Sequence, residues 1–330
     1  MAKMSRRQFV TDSVLASTGM AAAAAISGAQ AGAEPPRPAP ASPPAPKQAL
    51  PMGKLGNIPI SRVILGGNLL SGFSHSRDLR YVSALMQHYN TPERIYETFR
   101  LAEANGINAL VIHCNQDLNL LRHYRRELGG NMKWIIFALP DPNDKGNELA
   151  GFQKGIDAGA DVMYIHGDPG LQLIRAGRID LFKRAVDFIK DHGMPAGVST
   201  HSLEVVHACE KARLNVDFYL KTFHRNTYPT APRPGEPGSK GHARNDGAFD
   251  NSWCQDAEET ARVMNGIGKP WIAFKVMAAG ALPPRESIQY AFSNGADFVL
   301  AGMFDWQVAE DARIARDVLA GLKRTHPWRA

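Results

Sequence analysis

Three junctions of one design recur along this chain: Ala104-Asn105-Gly106-Ile107-Asn108, Asp157-Ala158-Gly159-Ala160-Asp161 and Ser293-Asn294-Gly295-Ala296-Asp297. Each follows an amphipathic stretch and precedes a short run rich in apolar residues. Glycine at such a point supplies the left-handed residue that ends a helix, and the residues after it enter a strand. Gly193-Met194-Pro195 and Gly268-Lys269-Pro270 are variants of the same device. A chain that repeats helix, glycine and strand builds a parallel sheet with helices packed on it.

The runs predict eight strands, at 62–65, 109–113, 134–139, 162–166, 196–199, 218–222, 271–276 and 298–301. Helical patterns lie between them. The one over 93–105 has Thr91 as N-cap and Pro92 at the first helical position. The one over 178–191 places Leu181, Phe182, Ala185, Phe188 and Ile189 on one face. Eight such strands close on themselves, so the predicted fold class is α/β, a (β/α)8 TIM barrel over residues 50–330. The other arrangement is an open doubly wound sheet. No Gly-x-Gly-x-x-Gly follows the first strand, and Gly66-Gly67 alone is weak support for a dinucleotide loop.

Two segments precede the barrel. Ser5-Arg6-Arg7-Gln8-Phe9-Val10, an alanine-rich apolar stretch to Ile26, and Ala29-Gln30-Ala31 occur in the order of a twin-arginine signal peptide with its cleavage site, over 1–31. The stretch is broken by Thr18, Gly19 and Gly28, so it is weak as a span needing about 20 apolar residues. Residues 32–49 form a proline- and alanine-rich linker (Pro35, Pro36, Pro38, Pro40, Pro43, Pro44, Pro46), an extended tether without a core. These features predict a protein exported folded by the twin-arginine machinery to the periplasm or beyond, with no stable membrane anchor after cleavage.

Charge narrows the partners. The 330 residues carry a formal +6; removing 1–31 takes out Lys3, Arg6, Arg7 and Asp12 and leaves +4. Basic residues are scattered among acids, as in Glu310-Asp311-Ala312-Arg313, with no basic stripe interleaved with aromatics, so nucleic acid is not an expected partner and a small-molecule substrate is. Three cysteines, Cys114, Cys209 and Cys254, are too few for a disulfide scaffold. Either all three are free and buried, or Cys114 and Cys254 approach each other or share a ligand.

One connection breaks the spacing. Residues 225–253 make a loop of roughly 30 residues where 2–6 is usual. It leaves the C-terminal end of the sixth strand, the face on which barrel active sites lie, and reads as a lid.

Polar residues cluster at the same strand ends: His113 to Asp117 on the second, His166 to Asp168 on the fourth, Thr200-His201-Ser202 on the fifth and His224 on the sixth. Imidazoles there suit a divalent metal or proton transfer near neutral pH. His113, His166 and His224 are the candidate metal ligands. His166, Lys275, Lys221 and Asp305 are the catalytic candidates, the lysines to hold developing negative charge or form a Schiff base and Asp305 or Asp168 to orient a histidine. Alternatively each histidine bonds a backbone carbonyl, the lysines pair with Asp161, Asp297 or Asp305, and Asp305 caps the last helix. Asn68, Asn115, Tyr164 and Trp253 are the candidate substrate contacts.

From about Leu55 onward the layout resembles the aldo/keto reductase family. The matching segments are Leu55-Gly56-Asn57-Ile58-Pro59-Ile60-Ser61-Arg62, Gly106-Ile107-Asn108, Tyr164-Ile165-His166, Gly197-Val198-Ser199, Ala278-Ala279-Gly280-Ala281-Leu282 and the segment at Gly302. The resemblance implies a (β/α)8 barrel and places the family's catalytic histidine at His166. Its aspartate, tyrosine and lysine fall near Val111, Gln116 and Ala138-Leu139-Pro140, and no basic cluster for a cofactor phosphate follows the last strand beyond Arg313. A second likeness, to exported barrel-like bacterial proteins, rests on Trp253-Cys254 and Phe274-Lys275-Val276. Three functional readings follow. The first is an exported enzyme with a histidine-rich mouth doing metal-assisted or acid/base chemistry on a small polar substrate, sugar derivatives among the candidates. The second is a divergent oxidoreductase with tightly bound NAD(P), and the third a binding protein without catalysis.

Overall fold

A computed structural model describes residues 49–73, 79, 81–231 and 254–330. All described residues belong to one compact unit, Ser42–Ala330. The predicted signal peptide, nearly all of the linker, and residues 232–253 of the predicted lid, Trp253 among them, lie outside the described residues.

A hairpin of β1 (Met52–Leu55) and β2 (Ile58–Ser61) comes first. The parallel strands β3 (Val63–Gly66), β4 (Ala109–His113), β5 (Lys133–Ala138), β6 (Val162–Ile165), β7 (Ala196–Thr200), β8 (Phe218–Thr222), β9 (Trp271–Phe274) and β10 (Phe298–Gly302) follow. These eight close a barrel in the order β10-β3-β4-β5-β6-β7-β8-β9, with helices between them. The predicted helices stand at Pro92–Ala104, whose N-cap Thr91 accepts from the Arg94 amide, and at Ile179–Asp191, whose buried face includes Leu181, Phe182, Ala185 and Ile189. Gly106, Gly159 and Gly295 have φ of 84°, 87° and 100°, the left-handed backbone the junctions required.

Strand alternation sorts the core into two layers. Ile64, Ala109, Val111, Ile135, Val162, Tyr164, Phe218, Leu220, Ile272, Phe298 and Leu300 point into the barrel, where Leu55 and Ile60 of the hairpin join them. Intervening residues, such as Leu110, Trp134, Ile136, Val198, Tyr219 and Trp271, face the helices. The hairpin thus closes the N-terminal end. Its signal was present: two residues, Gly56-Asn57, separate two short alternating runs, and Gly56 has φ 59°.

The tail returns to that same end. Asp297 is fully buried and accepts from Arg324 (3.2 Å) and Arg329 (2.8 Å), while Arg62 donates to its carbonyl (3.0 Å). The guanidinium carbons of Arg62 and Arg324 lie 3.9 and 3.8 Å from the Trp328 ring centroid. Burial lowers both arginines to about 10 despite Asp297, the cost of three cations gathered round one carboxylate.

Candidate active site

The C-terminal mouth is built where β4, β5 and β6 end. His113 is the last residue of β4 and shares the inward parity of Ala109 and Val111. Its ring lies 4.8 Å from Phe137 of β5 and 6.1 Å from His166, both edge to face. His166 lies 5.0 Å from Phe137, and Tyr164 stacks on Phe137 at 5.0 Å and 15°. Two imidazoles thus flank one phenylalanine, above a buried tyrosine.

The backbone fixes this pair. The amide of Asn115 donates to His113 Nδ1 at 2.9 Å, so Nδ1 is the bare nitrogen and Nε2 carries the hydrogen. Burial first, then the Lys154 charge, pushes His113 below its ordinary value and keeps the ring neutral. The His166 amide donates to Ala138 O at 2.7 Å. Next to it, a Cβ on Gly167 would stand 1.4 Å from Ser199 O, so only glycine lets the turn after β6 pass this close to β7. The predicted strand 162–166 therefore stops at Ile165, and His166 becomes the N-cap of the helix Gly167–Arg175. Burial drives the Tyr164 phenol well above its usual range, so it stays neutral.

The other candidates fall elsewhere. Lys221 is not inside the barrel: Phe218 and Leu220 are the inward residues of β8, so Lys221 points outward with Tyr219 and Phe223. It is 1% exposed, and its Nζ donates to Thr222 O (3.0 Å) and Thr222 Oγ1 (3.1 Å). Burial lowers its pKa. The acids weighed as lysine partners are engaged otherwise: Asp161 pairs with Arg125 (2.6 Å) and Lys133 (3.7 Å), and Asp297 with the tail arginines. Asp305 is the first residue of its helix, not the cap, which is Phe304. Its two oxygens accept from Tyr89 Oη (2.7 Å) and Arg94 (3.1 Å), so it ties 89–94 to the barrel and does not orient a histidine. Lys275 leaves β9 with φ 55°, which ends the predicted strand 271–276 at Phe274. Asn68 and Asn115 are exposed at the rim.

His224 is a structural residue. Its Nδ1 donates to Arg225 O (3.2 Å) and its Nε2 accepts from the Cys254 amide (3.2 Å). Asn226 Nδ2 donates to Cys254 O at 3.2 Å, so both ends of the long connection are pinned together. Burial and the Lys221 and Lys275 charges push His224 down to about 4, against the opposing bond to Arg225. Both nitrogens being spent, His224 is not open to a metal in this arrangement. Among the described residues no three His, Cys, Asp or Glu side chains gather as a metal site. Cys114, Cys209 and Cys254 are free and buried, Cys114 beside His113 and Cys254 beside Thr260.

Sequence reasoning missed Phe137 and the Cys254 clip. Phe137 sits two residues after the inward Ile135, so alternation pointed to it; no local signal pairs residues 30 apart.

No family model matches the chain, and no curated protein matches it. Solved structures do. A putative aldo-keto reductase from Pseudomonas aeruginosa is 14% identical with a TM-score of 0.52, over 82% of this chain and 94% of that one. A second structure of a putative aldo-keto reductase from that organism gives 15% and 0.53, over 83% and 98%. A Gox0644 mutant in complex with NADPH gives 10% and 0.51, over 81% and 88%. At such identities the likeness shows the fold alone, a (β/α)8 barrel. At the positions where the family resemblance places an aspartate, a tyrosine and a lysine stand Val111, packed in the inner core, half-buried Gln116, and Ala138-Leu139-Pro140.

Proposed function

We propose that this chain is an exported barrel enzyme that transfers protons to and from a small polar substrate at its C-terminal mouth, with His113 and His166 as the acid and base. The observation that carries the reading is the pair itself: two imidazoles 6.1 Å apart at the ends of β4 and β6, on the face that barrel enzymes use. His113 is held neutral with a bare, bonded Nδ1, so its Nε2–H is the group offered to a substrate oxygen. A neutral imidazole in that role polarises a carbonyl or hydroxyl without adding charge. His166 is the partner that takes or returns a proton. Phe137, stacked on the buried Tyr164, forms the aromatic floor beneath the two imidazoles. Export rests on the order of Arg6-Arg7, the apolar stretch and Ala29-Gln30-Ala31.

Neither cofactor reading fits the described residues as well. A metal site would need His224, whose nitrogens are spent. A nicotinamide phosphate after β10 would meet the Asp305 carboxylate at the helix start, and Arg313 is already paired with Asp317 (3.2 Å). The fold likeness, one neighbour of which was solved with NADPH, keeps a redox enzyme as the second reading. Mass spectrometry of material released from denatured native protein decides it: a nicotinamide nucleotide at near one equivalent would replace the first reading.

The direct test is solvent exchange. The purified protein is incubated in D2O with a panel of small hydroxy-aldehydes, hydroxy-ketones and sugars and followed by proton NMR. Loss of a carbon-bound proton signal, abolished in His113→Ala and His166→Ala, supports the proposal. No exchange with any compound, with the variants identical to the parent, sinks it.

A further inference from the structure

The helix Tyr81–Tyr89 buries none of its residues. Its nine residues, YVSALMQHY, contain no Asp, Glu, Lys or Arg, which is unlike an ordinary solvent-facing helix. Only Val82 and Met86, one turn apart, sit half-covered against the barrel side along with Ser83. Beside that covered strip Tyr81 and Leu85 are 65% and 59% exposed, and Tyr89, whose phenol is bonded to Asp305 of the barrel, follows one turn later at 36%. The three are spaced four apart and form one stripe. The stripe continues through Phe304, edge-on to Tyr89 at 5.7 Å, to Trp306, which stacks on Phe304 at 9° and is 68% exposed.

We infer that two copies of this chain pair through this stripe in a twofold dimer centred on Leu85. The stripe reads Tyr-Leu-Tyr in both directions, so a twofold axis at Leu85 sets Tyr81 of one copy against Tyr89 of the other, as an isologous contact requires. The helix itself carries no Asp, Glu, Lys or Arg to oppose its own copy, the Arg94 guanidinium lying 5.7 Å from the Tyr89 ring at the end of the stripe, and charge depletion is the compositional mark of an interface core. Taking roughly 200 Å² for each fully exposed large side chain, Tyr81, Leu85, Tyr89 and Trp306 offer on the order of 450 Å² of mainly apolar surface. That suits the core of an interface that buries about 800 Å² per partner including its polar rim. The helix belongs to the connection between β3 and β4, so both barrel mouths would lie beside the dimer axis.

Sedimentation equilibrium or light scattering of the purified full chain at micromolar concentration reads the assembly. The parent should have twice the chain mass. Leu85→Glu, which puts two carboxylates on the axis, should weaken pairing at least 100-fold and give the chain mass, with an unchanged thermal melt. Leu85→Cys should cross-link into a covalent dimer with a short bismaleimide, the native cysteines being buried; this variant decides if Leu85→Glu melts early. A monomeric parent, including one that instead partitions onto lipid vesicles, overturns the inference. So does a Leu85→Glu protein that remains dimeric.

Discussion

The amide of Cys254 donates to Nε2 of His224 at 3.2 Å, across 30 residues of sequence. This bond and the one from Nδ1 to Arg225 O fix one neutral tautomer, and burial, with the Lys221 and Lys275 charges, disfavours a second proton on the ring, which makes the site sensitive to acid. His224 has a folded value of about 4 against an ordinary 6.5. The unfolded chain therefore binds the extra proton first as pH falls, and stability drops from pH 6.5 downward until the folded group also protonates near 4. A shift of this size corresponds to about 3 kcal/mol. Urea melts between pH 7 and 4 should show the fall in the parent and a shallower one in His224→Ala. At pH 7 that variant should lose about 1–3 kcal/mol, because the buried Cys254 amide is left without its acceptor.

His113 should titrate below an ordinary histidine and stay neutral at pH 7. Long-range nitrogen–proton NMR of the labelled protein should show the Nε2–H tautomer for this ring. A ring protonated at Nδ1, or one titrating above an exposed histidine, would contradict the hydrogen bond from Asn115.

Asp311 presents the opposite case. It is 6% exposed in the helix Asp305–Ala320, and burial with the nearby Glu310 charge raises it to about 6. The folded state then holds a proton that the unfolded state has released between pH 3.8 and 6, so stability falls as pH rises through that window. Asp311→Asn should remove this slope and stabilise the protein by about 2 kcal/mol at pH 7. Equal stability of parent and variant at pH 7 would show that the carboxylate is better solvated than its position indicates.

Gly167→Ala should be severe. The added methyl would stand 1.4 Å from Ser199 O, and backbone on both sides has to move. The loss should exceed about 3 kcal/mol, and soluble variant should show reduced exchange activity because His166 is the preceding residue. By contrast Gly177→Ala meets nothing within 4 Å and is limited by its φ of 74°, so a smaller loss of about 1 kcal/mol is expected in the same melt.

Local chemistry was enough to write the barrel into the sequence. Glycines at helix ends need positive φ, apolar runs of alternating parity need two covered faces, and Pro92 and Thr91 start a helix wherever they stand. That is why all eight barrel strands and the two helices singled out lie within a few residues of their predicted places. The histidines at strand ends were legible for the same reason: a strand end in a barrel is a mouth position. Lys221, expected from the sequence at the mouth, points outward instead and shows how small the margin is, since one residue along β8 reverses a side chain between the substrate side and the helix side. The remainder belongs to tertiary structure. Whether an imidazole is a proton carrier or a clip depends on what meets its nitrogens, and those partners are placed by closure of the chain: Cys254 at His224, Tyr89 and Arg94 at Asp305, Phe137 between His113 and His166. Sequence fixes which groups arrive at the mouth; only packing decides which nitrogens are left for a substrate.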